Sequence, residues 1–187
     1  AYIREGDSDR IIHSRPLGEK NARDILGICQ KYGLYCQLYT SDTIFTEKII
    51  YSSANYDKWN RALPEDKRVK LKVVDKSSWD DVIDQNRGSI LKALFTEPDA
   101  EKLMAVHEEI SNLNVEITNS AYSSTFEVMD KGVTKGKAVE ALAKYLNIDR
   151  QDVICMGDSE NDISMVEYAG LGIAMENGSD EIKNSVK

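Results

Sequence analysis

The chain is short of cysteine, and the few it has do not form a framework. Cys29, Cys36 and Cys155 are odd in number, sit in apolar stretches and include no CxxC pair, a pattern that suits reduced, buried thiols in a reducing compartment. Long basic runs are missing as well. Against 24 lysines and arginines stand 32 aspartates and glutamates, a formal net charge of −8, so nonspecific binding to nucleic acid or an anionic membrane has no cationic face to use. No stretch approaches the roughly 18 apolar residues of a spanning helix. AYIREGDSDR at the start has no signal-peptide architecture. Repeats, low-complexity tracts and long linkers are absent. The expectation is a cytoplasmic protein with no nucleic-acid or membrane partner. Because Ala1 already lies in strand-like sequence, the chain reads as a piece whose beginning lies upstream.

What is present divides into two rhythms. With 187 residues and 41% apolar composition, the chain can bury a core as one large domain or two small ones. AYIR and RIIHSRPL read as a hairpin around the turn-rich EGDSD. Ala22, Ile25, Leu26 and Cys29 then recur at helical spacing from Glu19 to Tyr32, and Gly33 stands where a helix ends. Strands are expected at 34–40, 69–75, 89–96, 113–119 and 125–130, and helices over most of 45–63, near 79–85 and from Pro98 to Ser111. After Asp130 the pattern becomes helix (134–146), strand VICMG, helix (160–168), strand LGIAM and helix (from 179). Short apolar runs alternating with helices indicate part of a covered parallel sheet. Two strands cannot complete such a sheet.

The chemistry concentrates in CMGDSENDISM, residues 155–165, where Asp158, Glu160 and Asp162 crowd the end of a strand. In open parallel sheets ligands gather at this place. One reading is local: Ser159 caps the next helix and Asp162, three residues on, reaches back as in a capping box. The other is a metal site, since Asp158 beside two more acids accumulates repulsion unless a cation neutralises it, and hard carboxylate oxygens suit magnesium. The sequence leaves both open. An EF-hand is a poor rival: Asp158, Glu160 and Asp162 mimic its first acids, but Ile163 stands where its turn glycine belongs and Ala169 where its bidentate glutamate belongs. Upstream, Thr134 caps a helix whose buried stripe is expected to be Val139, Leu142 and Leu146. Lys135 in its first turn opposes the helix dipole at a cost of about 0.3 to 1 kcal/mol if exposed. It is either a solvated lysine or a partner for an anion, the acids of the later loop or a phosphate. His13 and His107 read as boundary residues, and Trp59, Trp79 and the tyrosines as packing groups.

Taken together, the two stretches resemble the third and fourth motifs of the haloacid dehalogenase superfamily, and in particular its Cof-type, sugar-phosphatase-like branch. The elements are Lys135 in TKG, GDSEND from Gly157 to Asp162, and AMENGS, where Gly178 replaces the usual alanine and weakens any role carried over to Asn177. The resemblance covers about residues 124–187. It implies an α/β fold: a partial Rossmann-like core joined to an α+β C2-type cap, with residues 1–16 a core-side hairpin, 17–122 the cap and 123–187 the C-terminal part of the core. It also implies that Asp158 coordinates Mg2+, that Lys135 and Asn161 hold the phosphoryl group, and that Asp162 orients Lys135 or the metal shell.

The family's first motif, an apolar strand ending in DxDGT, has no match. GDSDRII, with Asp7 and Asp9, lacks both the leading strand and the Gly-Thr. The resemblance therefore implies a magnesium-dependent phosphatase of small phosphorylated metabolites such as sugar phosphates, with this chain inactive alone for want of a nucleophile. The exposed edges of VICMG and LGIAM would then pair with another copy or with the N-terminal piece, or leave the last third poorly ordered. A noncatalytic assembly module using the cap, and a phosphomutase of the same superfamily, are the rival expectations.

Overall fold

The computed structural model describes residues 1–6, 8, 10–119 and 124–186. Asp7 and Asp9 lie outside them. Strands β1 (Tyr2–Arg4) and β2 (Ile11–Ser14) form the expected antiparallel pair. Helix α1 (Glu19–Tyr32) buries Ala22, Ile25, Leu26, Ile28 and Cys29 along one face. Gly33 ends it at φ 64°, a left-handed turn that lets the Leu34 N–H donate to the Cys29 carbonyl at 2.8 Å.

The largest sheet has six strands: β3 (Cys36–Tyr39), β4 (Thr43–Thr46), β5 (Lys70–Val73), β6 (Lys92–Thr96), β7 (Val115–Asn119) and β8 (Thr125–Asp130). Their order is β5-β4-β3-β6-β8-β7, antiparallel except for the β4–β5 pair. Alternation along the strands gives the sheet two unlike faces. On one, Leu38, Phe95, Phe126 and Val128 meet Trp79 and Ile83 of α3 (Trp79–Gln85) and Val106 and Ile110 of α4 (Ala100–Ser111), with α1 beside them. On the other, α2 (Ser52–Asn60) covers the part from β5 to β6, where Tyr56 packs against the cluster of Tyr39, Ile44 and Leu94. The part of that face made by β7 and β8 carries no helix of this layer.

The remaining elements are α5 (Lys135–Leu146), β9 (Ile154–Gly157), a 3-10 turn at Glu160–Asp162 running into α6 (Ile163–Tyr168), β10 (Leu171–Ala174) and α7 (Asp180–Ser185). Strands β9 and β10 pair in parallel. Cys155 on the inner side packs with Val166, Ala169 and Ile182, while the alternate residues Ile154 and Met156 are 65% and 57% exposed. All three cysteines are buried and unpaired. Among the described residues no helix is long and apolar enough to cross a membrane.

Two expectations are corrected. The stretch 45–63 is not mostly helical: Thr43–Thr46 is a strand, and the helix is confined to Ser52–Asn60. TIFT is β-branched and aromatic throughout, and its four residues are buried between strands on either side, so pairing overrides the helical spacing that follows. Leu146 is not part of a buried stripe. It is 52% exposed because α5 packs on α6 and β2 through Gly136 and Ala143, and its last turn projects beyond them. The large sheet includes β8, which is inserted between β6 and β7.

Phe95 is fully buried with its ring 5.0 Å from that of Phe126, whereas Trp59 is 59% exposed. Phe95→Ala is expected to lower the urea-measured stability by about 3 to 5 kcal/mol, as for other buried aromatics cut to alanine. Trp59→Ala should cost less than about 1 kcal/mol; equal losses would contradict this assignment of the core.

Candidate active site

The site starts where β9 ends. Gly157 is buried against the loop it leads into, and a Cβ there would strike the Asp162 side chain. That close approach lets one carboxylate gather the loop. Asp162 Oδ2 accepts the N–H groups of Asp158 at 3.1 Å and Ser159 at 3.3 Å, fixing the turn as a capping box. Its other oxygen, Oδ1, accepts from Lys135 Nζ.

Lys135 reaches this point because two helices touch at backbone distance. A Cβ at Gly136 would overlap the Ser164 carbonyl, and the Gly136 N–H donates to Ser164 Oγ at 3.0 Å. Thr134 caps α5 by accepting from the Lys137 N–H at 3.2 Å. The first turn of α5 is thereby set against the loop. The lysine's opposition to the helix dipole is offset by a carboxylate, and the anion it balances is an acid of the later loop.

Asp162 is 4% exposed. Burial by itself would raise its carboxyl, but the Lys135 ammonium and the two backbone N–H groups overcome that and hold the pKa below the usual aspartate value.

Asn161 completes the group. Its Oδ1 accepts from Lys135 Nζ at 3.1 Å and lies 2.8 Å from the Ser159 hydroxyl. With the oxygen occupied, the amide NH2 has no acceptor among the described residues, and of the three ammonium hydrogens of Lys135 two are used. The pair therefore presents spare N–H donors, one of them on an ammonium already balanced by Asp162, and an anion requires such donors. Asp158 is exposed at the same strand end, with no side-chain partner among the described residues. Glu160 is exposed and has a partner of its own. Asn177 is exposed.

Among the described residues no group of three His, Cys, Asp or Glu side chains is arranged to hold a metal ion. Magnesium, however, is commonly held by only one or two carboxylates, with water and phosphate oxygens filling the other positions. The uncommitted carboxylate of Asp158 fits one such position.

A cleft of about 520 Å³ opens in front of Lys135 and Asn161. Its opposite wall is the uncovered face of β7 and β8, where cross-strand partners Glu116–Met129 and Thr118–Glu127 stand side by side. Sequence reading named Lys135, Asn161, Asp158 and Asp162, and the structure brings them to the same strand end. That reading missed Ser164, which only the helix contact identifies, and Glu116 and Glu127, whose polar positions in NVEITN and TFEVMD mark a non-core face but not what that face meets.

A family model for the haloacid dehalogenase-like hydrolases matches residues 1–187. The 5-amino-6-(5-phospho-D-ribitylamino)uracil phosphatase YwtE of Bacillus subtilis is 29% identical over 189 residues, covering 93% of this chain and 65% of that protein. A haloacid dehalogenase-like hydrolase structure from B. subtilis aligns with a TM-score of 0.72 at 25% identity, over all of this chain and 70% of that one. The subclass IIB sugar phosphatase BT4131 aligns with a TM-score of 0.76 at 19% identity, over all of this chain and 65% of that one, and so is alike in fold. The chain thus spans about two thirds of the length of these proteins.

Because the folded pKa of Asp162 is depressed, its contribution to stability is full above the unfolded carboxylate value of about 3.9 and is lost as pH falls through the folded value. Asp162→Asn should therefore be less stable at pH 7 by about 1 to 3 kcal/mol. In urea unfolding at a series of pH values, the gap to the unsubstituted chain should shrink below about pH 4. A gap independent of pH would remove the charge from the explanation.

Proposed function

This chain belongs to the haloacid dehalogenase-like hydrolases, and on that footing we propose that it forms the phosphate-holding part of a cytoplasmic, magnesium-dependent phosphatase for small phosphorylated metabolites such as sugar phosphates. The observation that carries the reading is the pair Lys135 and Asn161, tied together at 3.1 Å with N–H donors to spare at the mouth of a cleft. Phosphoryl transfer spreads negative charge over nonbridging oxygens, and donors fixed before the substrate arrives stabilise that charge without having to reorganise. The phosphatase YwtE, similar to this chain over 93% of its residues, supports the reaction and a small phosphorylated substrate, and BT4131 supports the fold.

Each residue then has a task. Lys135 and the Asn161 amide bind phosphoryl oxygens, and Asp162 positions Lys135 by holding its ammonium from below. Asp158 would be one ligand of magnesium, whose chemistry when bound is neutralisation of charge on the transferring group. The attacking carboxylate is assigned to chain outside these 187 residues, since no DxDGT occurs within them. In this reading residues 17–122 act as a cap, and their sheet faces the substrate. The apolar side of β9 and β10, with Ile154, Met156 and Leu171 exposed, is where further chain or a second copy would pack.

Aryl phosphate hydrolysis tests the reaction. The 187 residues alone should give no magnesium-dependent turnover, whereas a chain with an aspartate-bearing first motif ahead of residue 1 should turn over. Lys135→Ala or Asp158→Ala in that longer chain should lower kcat by about 100-fold or more. Turnover that survives both substitutions would sink the assignment. Sedimentation velocity tests the packing surface: the 187-residue chain should associate as its concentration rises, and Met156→Lys should abolish this. A monomer at every concentration would count against a second copy there.

A further inference from the structure

The cleft in front of Lys135 and Asn161 is lined by four glutamates, Glu160 and Glu167 on the side of Lys135 and Glu116 and Glu127 across from it. On its far side Glu116 and Glu127 each commit one oxygen to the protein and leave the other without a donor among the described residues. Glu116 Oε2 accepts the Gly132 N–H at 3.1 Å and lies 3.7 Å from Lys131 Nζ, so Oε1 is unused. Glu127 Oε1 accepts from Lys92 Nζ at 2.6 Å, so Oε2 is unused. Both carboxylates are therefore held in fixed orientations while still able to accept hydrogen bonds. The register places Thr118 directly across from Glu127, which adds a hydroxyl to the same face. Lys131 and Lys92, the cations that partner the two glutamates, are not among the residues lining the cleft.

We propose that this wall selects the leaving group: the cleft takes phosphate monoesters whose organic part is uncharged and rich in hydroxyls, and disfavours those that carry a second anionic group, with Glu116 and Glu127 as the discriminating residues. The inference rests on Lys135 and Asn161 being the phosphate-holding pair. With the phosphate there, the organic part extends across the cleft toward β7 and β8. A hydroxyl finds a fixed acceptor in either carboxylate, a good match for a donor that must otherwise leave water. A carboxylate or second phosphate at the same place meets like charge without a donor, and like-charge juxtaposition is the cheaper route to specificity. The volume of about 520 Å³ is ample for a phosphorylated sugar or polyol.

The test compares two esters of matched size, glycerol 3-phosphate and 3-phosphoglycerate, which differ by a hydroxymethyl against a carboxylate. Each is titrated into the isotope-labelled 187-residue chain, with inorganic phosphate as a third probe, and shifts of the Lys135 and Asn161 signals report occupancy. Glycerol 3-phosphate should bind about fivefold or more tightly than 3-phosphoglycerate, a modest factor because the cleft is open to solvent. In the Glu116→Gln, Glu127→Gln double variant, where the amides keep the shape and remove the charge, the two should bind within about twofold of each other. Inorganic phosphate should shift the same signals in both proteins and lose its effect in Lys135→Ala. If phosphate and both esters bind through Lys135 but the two esters bind equally to the unsubstituted chain, or the double variant keeps the preference, the wall is not the selector and the phosphate reading stands. If no phosphate probe shifts those signals, the phosphate reading falls and this inference with it.

Discussion

One ion pair sets the geometry from which everything else in the site follows. Lys135 begins a helix and Asp162 ends a turn 27 residues later, and their contact locks α5 to the loop beyond β9. A carboxylate as buried as Asp162 is costly unless compensated, and a lone lysine would compensate it only partly. Two backbone N–H groups complete the set, so the charge is satisfied from three directions. The same compensation determines where Lys135 can be. Its ammonium is drawn onto Asp162 and Asn161, and its third hydrogen has no acceptor among the described residues.

That contact is possible because glycine stands at two places of closest approach. Gly136 admits the Ser164 backbone and Gly157 admits the Asp162 side chain. A methyl group at either would push the helix or the loop away by more than a hydrogen bond tolerates. The large sheet matters to the site in a different way. Its packing against α1, α3 and α4 consumes one face, α2 consumes part of the other, and the remainder at β7 and β8 becomes the wall opposite Lys135. The charge on that wall is held by hydrogen bonds to the body of the protein, which is the condition for a carboxylate to discriminate between ligands instead of relaxing away from them.

Much of this was legible in the sequence, for identifiable reasons. Thr134 and Gly33 are local signals, and local signals survive folding. The capping reading of GDSEND holds at Ser159 and Asp162, and the same carboxylate does more, because it has two oxygens: Oδ2 of Asp162 caps the turn while Oδ1 holds Lys135. What sequence could not convey was non-local. The strand Thr43–Thr46 is made by neighbours on both sides, Leu146 is exposed because its helix outruns its partners, and Glu116 and Glu127 matter only because the fold carries β7 and β8 to the mouth of the loop. The family resemblance pointed to Lys135 and Asn161 on one side of the cleft, and the fold placed β7 and β8 on the other.

The coupling between Lys135 and Asp162 is the most direct test of this view of the site. A double-mutant cycle of Lys135→Met, Asp162→Asn and the pair, followed by urea unfolding at neutral pH, measures it. The half-exposed lysine and buried carboxylate should be coupled by about 1 kcal/mol or more, and phosphate binding should weaken in both single variants. Additive losses, with phosphate binding intact in Asp162→Asn, would contradict it.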